Sequence, residues 1–519
     1  MIKESLKDFL VEKKDFTPQY GENIEKGALI GDDFYAPEPT DGVRRWRKSV
    51  LLLGDPNSKE VLSYKKANIA EMNASYLIAD RNGSLLRSMG SMLKNNGYIV
   101  QVLNLSDTNN SHIYNPISNV FFDDTDNAYR LAHCLFDLHT YEKLWDKFSE
   151  AEMADGFGRL RVTLIDVTDV FLFMIYFATE TIPGCTLGDV ACLISLCHVE
   201  PDKMFGENGV FSQQKKITPE LKCFVDGDLY MRLAGMSVAQ RTTVISMLNV
   251  VMQPYLKESN IYNKKNEGSS QENEIVLSRM MHTKMALFVI PSKKSDNGLM
   301  KILLNQADCI FSETNPGCRR VCMMIDDSIC SRADVIHSTG DYELFYIASS
   351  INGKGRRNDI RLNIDMFEYA IFIGGPKEED LGYYKKLVTR MGYVETDLVS
   401  LRYKPKEWVN DKKEVVYPER EFEQYISEID ENTSIIVSND YDRAIVCPTV
   451  DFEKHRMYAE SGDASKDNEY DYTKYLDEHI EYRPDPVPRR KIKLEWLCEF
   501  LECEPDEVAE RVLEILSNG

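Results

Sequence analysis

Ser49-Val50-Leu51-Leu52-Leu53-Gly54-Asp55-Pro56-Asn57-Ser58-Lys59-Glu60-Val61 is the stretch on which the fold turns. Ser49 to Leu53 reads as a buried strand, a glycine turn follows at once, and Glu60 to Asn73 reads as a helix. Strand, glycine turn and helix is the setting in which bare backbone N–H groups cradle phosphate, a lysine reaches the β/γ oxygens and a hydroxyl holds Mg²⁺. A working loop of this kind ends Gly-Lys-Ser/Thr. Counted from Gly54 without gaps, the lysine position holds Glu60 and the hydroxyl position holds Val61. A carboxylate facing a triphosphate repels it. A shift of one residue brings Lys59 forward, but Glu60 still sits beside it, no glycine precedes it, and Ser58 lies on the wrong side. Glycine is wanted there because the loop needs permissive dihedrals and close phosphate approach.

Outward from the loop, Ser75 to Ile78 reads as a second strand with Asp80 just beyond its end. Gly83 to Asn95 is helical, with Leu85, Leu86, Met89, Met92 and Leu93 on one face, and Tyr98 to Leu103 is a third strand. This alternation predicts an open, largely parallel α/β sheet. The period then becomes helical over Ala128–Phe136, Tyr141–Met153, Arg161–Ala178, Leu187–Cys197 and Val238–Met252, which predicts an inserted all-alpha domain. Tyr262 to Glu274 is a polar hinge. Strand patterns resume at Met285–Ile290, Val321–Ile325, Leu344–Ala348 and Tyr369–Ile373, with a helix at Leu299–Ala307, and these complete the sheet. The expected organisation is a polar, loop-like segment over 1–45 with one short strand at Ala28–Ile30, and an α/β domain over 46–120 and 279–400 around the 121–278 insertion. A C-terminal extension follows: a strand and helix segment over 401–460 (helix Glu421–Ile429, strands Ser434–Ser438 and Ala444–Cys447), a loose acidic linker over 461–493, and helices over 494–519.

The chain has 519 residues, enough for about two to four domains. Its formal net charge of -22 repels phosphate globally, so a nucleic-acid partner would need a local basic face. Arg44-Arg45-Trp46-Arg47-Lys48 and Arg489-Arg490-Lys491 are short enough to read as solvated flanks. The twelve cysteines read as buried thiols of a reducing cytosol; Cys318, Cys322 and Cys330 do not have zinc-site spacing. No metal site is expected. The longest apolar stretch, Val170 to Ala178, falls well short of the roughly 20 residues a membrane span needs. The chain is therefore expected to be soluble, or to have lost a membrane segment.

The order of these pieces resembles the conjugative DNA-transfer coupling proteins, the VirD4/TraG type of type IV secretion. In that family a Lys-Pro-Asn step follows the loop, and Lys66-Ala67-Asn68 stands there. A strand then ends Thr-Asp-Pro-Lys-Gly-Glu-Leu, matched in part by Ala79-Asp80-Arg81-Asn82-Gly83-Ser84-Leu85. Gly97-Tyr98, Ile99 to Leu105 and Asn115-Pro116 follow in family order. Ala286 to Pro291 with Gln306 looks like a third core block, and Val321 to Asp327 like the family's Walker B. Thr433 to Tyr458, with Asp451 and His455, resembles the C-terminal strand pair. The resemblance implies a RecA-like P-loop NTPase fold with an all-alpha domain inserted after the third strand. It also implies hexameric rings at the inner membrane that hand relaxase-bound single-stranded DNA to a secretion channel. Members usually carry two membrane helices ahead of this region, and none is read here.

In a Walker B, the first carboxylate orients Mg²⁺ and the second, normally Glu, activates water. Asp326 and Asp327 fill these places, but Asp327 is one methylene short, which sets its carboxylate roughly 1.5 Å back, and in-line attack tolerates little misplacement. The family's glutamine-rich segment after Walker B is absent; Ser349 to Gly353 stands nearest, followed by Lys354, Arg356 and Arg357, which fit an arginine finger or a solvated loop. Gly374-Gly375 and Asp80 read as structural. The degenerate cofactor site is Gly54, Ser58, Lys59, Glu60, Val61 and Asp80, with Asp326 and Asp327 catalytic only if the site is active. The expectation is a degenerate coupling-protein relative without cofactor, working as an adaptor for secretion or relaxosome proteins. It would lie in the cytoplasm or at the cytoplasmic face of the inner membrane, with membrane contact only through a partner or a lost segment. Self-association and single-stranded DNA are secondary expectations. The alternatives are an ATP/Mg²⁺-driven translocase using Lys59, Asp326 and Asp327, and regulatory nucleotide binding without turnover.

Overall fold

The strands flanking the Gly54 turn pair into one ten-stranded sheet. The computed structural model describes residues 10–15, 24–39, 49–107, 110–119, 162–181, 185–205, 235–257, 274–291, 298–312, 318–327, 342–349, 367–374, 428–438 and 444–472, with single positions at 131–132, 135–136, 144, 211, 233 and 425. In chain order the strands are β1 (Leu10–Glu12), β2 (Ile24–Gly31), β3 (Phe34–Pro39), β4 (Ser49–Leu53), β5 (Ser75–Ala79), β6 (Ile99–Asn104), β7 (Met285–Ile290), β8 (Val321–Asp326), β9 (Glu343–Ala348), β10 (Tyr369–Ile373), β11 (Thr433–Ser438) and β12 (Ala444–Pro448). The helices are α1 (Lys59–Ala70), α2 (Ser84–Asn95), α3 (Leu164–Thr181), α4 (Leu187–Val199), α5 (Pro201–Phe205), α6 (Val238–Lys257) and α7 (Gly298–Ser312). The chain divides into two compact units, one of residues 1–102, 279–291 and 311–472, the other of 103–278, 292–310 and 473–519.

In the first unit the sheet order is β1-β12-β11-β10-β4-β9-β8-β5-β7-β6. From β10 through β4, β9, β8 and β5 to β7 every pairing is parallel; β11 joins β10 and β12 antiparallel, and β1 returns parallel to β12. Strands covered on both faces read as unbroken apolar runs, and all of β4, β5, β7, β8 and β9 is buried. Two strands, β9 and β8, lie between β4 and β5. The connection through α1 must therefore cross both, which lays the inner face of α1 over their ends.

That inner face carries Val61, Tyr64, Lys65 and Asn68, all buried. Asn68 accepts from Leu29 N at 2.8 Å and donates to Leu29 O at 3.0 Å, which pins β2 to α1. The 1–45 segment is thus not loop-like where it is described: β2 and β3 form a two-stranded sheet and β1 extends the main one. The strand expected at Ala28–Ile30 lies inside β2, while β1 and β3 have no counterpart in the sequence reading; register shifts at Lys26/Leu29 and Leu29/Gly31 interrupt the β2–β3 pairing.

Residues 461–472 are folded onto α2, not loose. Gly462 N donates to Ser88 O at 2.8 Å and Tyr470 N to Arg87 O at 2.9 Å. Gly90 leaves no room for a side chain, since a Cβ there would lie 2.5 Å from the Tyr470 ring. Lys66 pairs with Asp463, and Glu460 accepts from Asn96 at 3.1 Å. Of the acidic side chains in this stretch, Asp463 is held by a lysine of α1.

In the second unit α3, α4 and α6 pack on one another. Phe211 meets Phe173 and Phe177 edge-on, at 5.0 and 4.8 Å between ring centres. Thr186 and Asp189 form a reciprocal cap on α4. Gln306 on α7 is buried, accepts from Tyr114 and donates to Pro116 O at 2.8 Å. Ala128–Phe136, Tyr141–Met153, Tyr262–Glu274, Glu421–Ile429 and Leu494–Leu516 lie largely or wholly outside the described residues, as do both basic clusters, Cys330, Lys354, Arg356, Arg357 and Gly375.

Candidate functional site

The turn after β4 is tied by its own hydrogen bonds. Gly54 N donates to Ala348 O at 3.0 Å, which locks the turn to the end of β9. The Asp55 side chain accepts from Asn57 N at 2.9 Å, and Asp55 O accepts from Ser58 N at 2.9 Å. Ser58 then caps α1, its hydroxyl accepting from Val61 N at 3.2 Å. The amides that would cradle a phosphate at 57, 58 and 61 are therefore bound to the turn's own oxygens.

The side chains follow the same logic. Val61 is fully buried, and a Cβ on Gly54 would lie 2.8 Å from Val61 Cγ2 and 3.6 Å from Ile373 Cβ. The residue at the hydroxyl position packs over the first glycine of the loop. Lys59 points outward to Glu453, with Nζ 2.9 Å from Oε1, and that carboxylate raises the lysine's pKa. Glu60, in the first turn of α1, sits where a negative charge complements the helix dipole.

The carboxylates lie at neighbouring strand ends. Asp326 closes β8 with its side chain 3 % exposed, and Lys65 Nζ lies 3.0 Å from its Oδ2. The same ammonium donates to Ala79 O, at the end of β5, at 3.3 Å. Asp80 follows directly and caps α2, its Oδ2 accepting from Leu86 N at 2.8 Å. Burial pushes its carboxyl above the usual range, while the backbone donors of α2 and the nearby Lys65 charge oppose that. Asp327 accepts from Ser349 N at 3.3 Å and from Ser349 Oγ at 3.1 Å, so it bridges the ends of β8 and β9. Gly374, at φ 68°, turns the chain after β10 and donates to Thr433 O at 3.1 Å.

The structure thus brings Asp326 and Asp80 to one place and sends Lys59 elsewhere. Sequence reasoning missed Lys65 and Asp55, and named Ser349 only as part of the stretch nearest a glutamine-rich segment. Lys65 carried a signal: it lies four residues after Val61, one turn on along the same inward stripe, where a charge has no business without a partner. As it stands this donor set does not fit a magnesium–nucleotide complex: a carboxylate at 60, no hydroxyl at 61, occupied amides, and an ammonium already on Asp326. Among the described residues no group of three or more His, Cys, Asp or Glu could hold a metal ion.

No protein-family model matches the sequence, and neither does any curated protein. Solved structures do match. An unbound form of the bacterial conjugative coupling protein TrwBdeltaN70 aligns at 11 % identity and a TM-score of 0.50, covering 83 % of this chain and 91 % of that one. Its trigonal form with sulphate gives the same identity and score over 87 % and 95 %. TrwB in complex with the GTP analogue GDPNP gives the same two values over 83 % and 92 %. The fold is that of a RecA-like P-loop NTPase. Within it, β4 carries the turn, β8 carries the acidic pair, and β9 stands between them. Among the described residues no helix is long and apolar enough to cross a membrane.

Proposed function

We propose that this chain is a catalytically degenerate relative of the conjugative coupling proteins, acting without ATP turnover as an adaptor or assembly component of type IV secretion or DNA transfer. The observation that carries the reading is the self-satisfied turn: Asp55 binds the amides of Asn57 and Ser58, and Val61 packs where a hydroxyl would face Mg²⁺. A triphosphate would have to displace an internal carboxylate and approach Glu60. The helices α3 to α6 of the second unit would supply the contact surface, and the net charge of -22 suits a protein partner with a basic face better than nucleic acid. The site of action follows the family: the cytoplasm, or the inner-membrane face through a partner.

A second reading has one observation in its favour. Asp326 ends β8 and Asp327 follows it, an acidic pair at a strand end of the kind a Walker B uses. An active translocase would use them with Lys59. Calorimetric titration with ATP and Mg²⁺, followed by hydrolysis assays with single-stranded DNA, separates the two. The adaptor gives no saturable heat and no turnover. The motor gives DNA-stimulated hydrolysis that Lys59→Ala abolishes, and that result sinks the adaptor reading.

A further inference from the structure

A carboxylate buried at a strand end needs a positive charge against it, or it does not stay ionised. In a working phosphate loop, magnesium supplies that charge, held by the loop hydroxyl and the substrate oxygens. This chain has valine at the hydroxyl position, and the turn's amides are already used. The geometry points to Lys65 as the resident cation of the site, a covalently tethered ammonium in the place where the fold would otherwise need a divalent ion. This goes beyond the adaptor reading and does not depend on it.

Three observations meet here. Lys65 lies one turn beyond Val61 on the inward stripe of α1, and α1 must cross β8 to reach β5. Its Nζ is 3.0 Å from Asp326 Oδ2, with both side chains 3 % exposed. Its further contact, at 3.3 Å, is to Ala79 O, beside Asp80, whose carboxyl senses the Lys65 charge. The ammonium therefore binds one carboxylate, at the end of β8, and its charge also reaches a second, just past the end of β5. An arriving dication would have to expel that ammonium from Asp326. The pairing also ties the helix after the turn to the acidic strand without any ligand. A loop that in a motor responds to nucleotide is, in this chain, held in one state.

The test uses the full chain in four forms: wild type, Lys65→Met, Asp326→Asn and the double variant. Each is melted with and without MnCl₂, and bound Mn²⁺ is read by electron paramagnetic resonance. Wild type is expected to bind no Mn²⁺ at this site and to show no shift in Tm. Lys65→Met is expected to melt lower and to recover part of the loss with Mn²⁺, which now has Asp326 and Asp80 to itself. The double variant is expected to regain stability over Lys65→Met and to ignore Mn²⁺. If Lys65→Met does not fold, a folded double variant supports the pairing, and a double variant that also fails to fold overturns it. Mn²⁺ binding by wild type that disappears in Asp326→Asn overturns it too, as does a double variant no more stable than Lys65→Met. ATP turnover by wild type would overturn the adaptor reading alone, leaving Lys65 to be judged by the variant cycle.

Discussion

A methyl group on Gly54 would lie 2.8 Å from Val61 Cγ2, closer than carbon atoms tolerate, and Ile373 closes the other side. Gly54→Ala should therefore cost about 1–3 kcal/mol, the usual range for overpacking a filled site. Val61→Ala returns the space, so the double variant should be more stable than Gly54→Ala alone in urea melts; equal stabilities would mean that Val61 is not what fills the glycine's place. Asp80 acts differently. Its carboxylate holds the first turn of α2, and Asp80→Ala should cost about 1–2 kcal/mol, as loss of a helix cap does. Burial raises the Asp80 pKa, so ionisation works against the fold as pH rises above the unfolded value, and Asp80→Asn should be far milder than Asp80→Ala at neutral pH. The sequence made Glu60 and Val61 legible as misfits, because loop chemistry is written in consecutive residues. It could not show that Lys65 meets Asp326, since that depends on which strands α1 crosses.

At the scale of elements, α1 is held at both ends by the stretch that follows β12. Glu453 takes Lys59 at the start of the helix. Beyond its end, Glu71 accepts from His455 Nε2 at 3.0 Å, from Tyr35 at 3.0 Å and from Arg456 at 3.1 Å. Met457 N donates to His455 Nδ1 at 3.2 Å, which leaves Nε2 to carry the hydrogen toward Glu71. The Glu71 carboxyl is lowered from 4.5, chiefly by the His455 hydrogen bond, and burial works against that. A depressed carboxyl stabilises the fold above its unfolded pKa and loses that contribution as pH falls through the folded value. The advantage of wild type over Glu71→Gln should therefore be full near pH 6 and vanish below the lowered Glu71 value. Denaturation measured across that range checks it, and a constant difference would rule the pairing out as its source. Along α2, Gly90→Leu should push Tyr470 away, and limited proteolysis should then cut between 461 and 472 faster than in wild type. That acidic stretch read as linker because its composition is a linker's. Its structure comes from Gly462 and Tyr470 fitted against Arg87, Ser88 and Gly90 of α2, a pairing across distant sequence that no local pattern records.

For the whole molecule, the parallel core was the most legible part. Strands buried on both faces leave apolar runs such as Leu344 to Ala348 that stand out against a charged background. The edge was least legible. β1 has only three residues, Leu10 to Glu12, and no periodicity can announce a strand that short. It nonetheless pairs with Ala444, Ile445 and Val446 of β12 and covers that side of the ten-stranded sheet. The side chains of its partners Ala444 and Ile445 are fully buried. An exposed apolar strand edge is a template for pairing with another chain. Removing residues 1–15 should leave β10, β4, β9 and β8 intact, because none of their pairings involves β1. It should also turn β12 into an open edge, with growth of higher-order species on concentration. Size-exclusion chromatography with light scattering would register this, while far-ultraviolet circular dichroism stayed close to that of the full chain. A truncated chain that keeps the wild-type size distribution at every concentration would show that β12 needs no cover, and would reduce β1 to a passive end of the sheet.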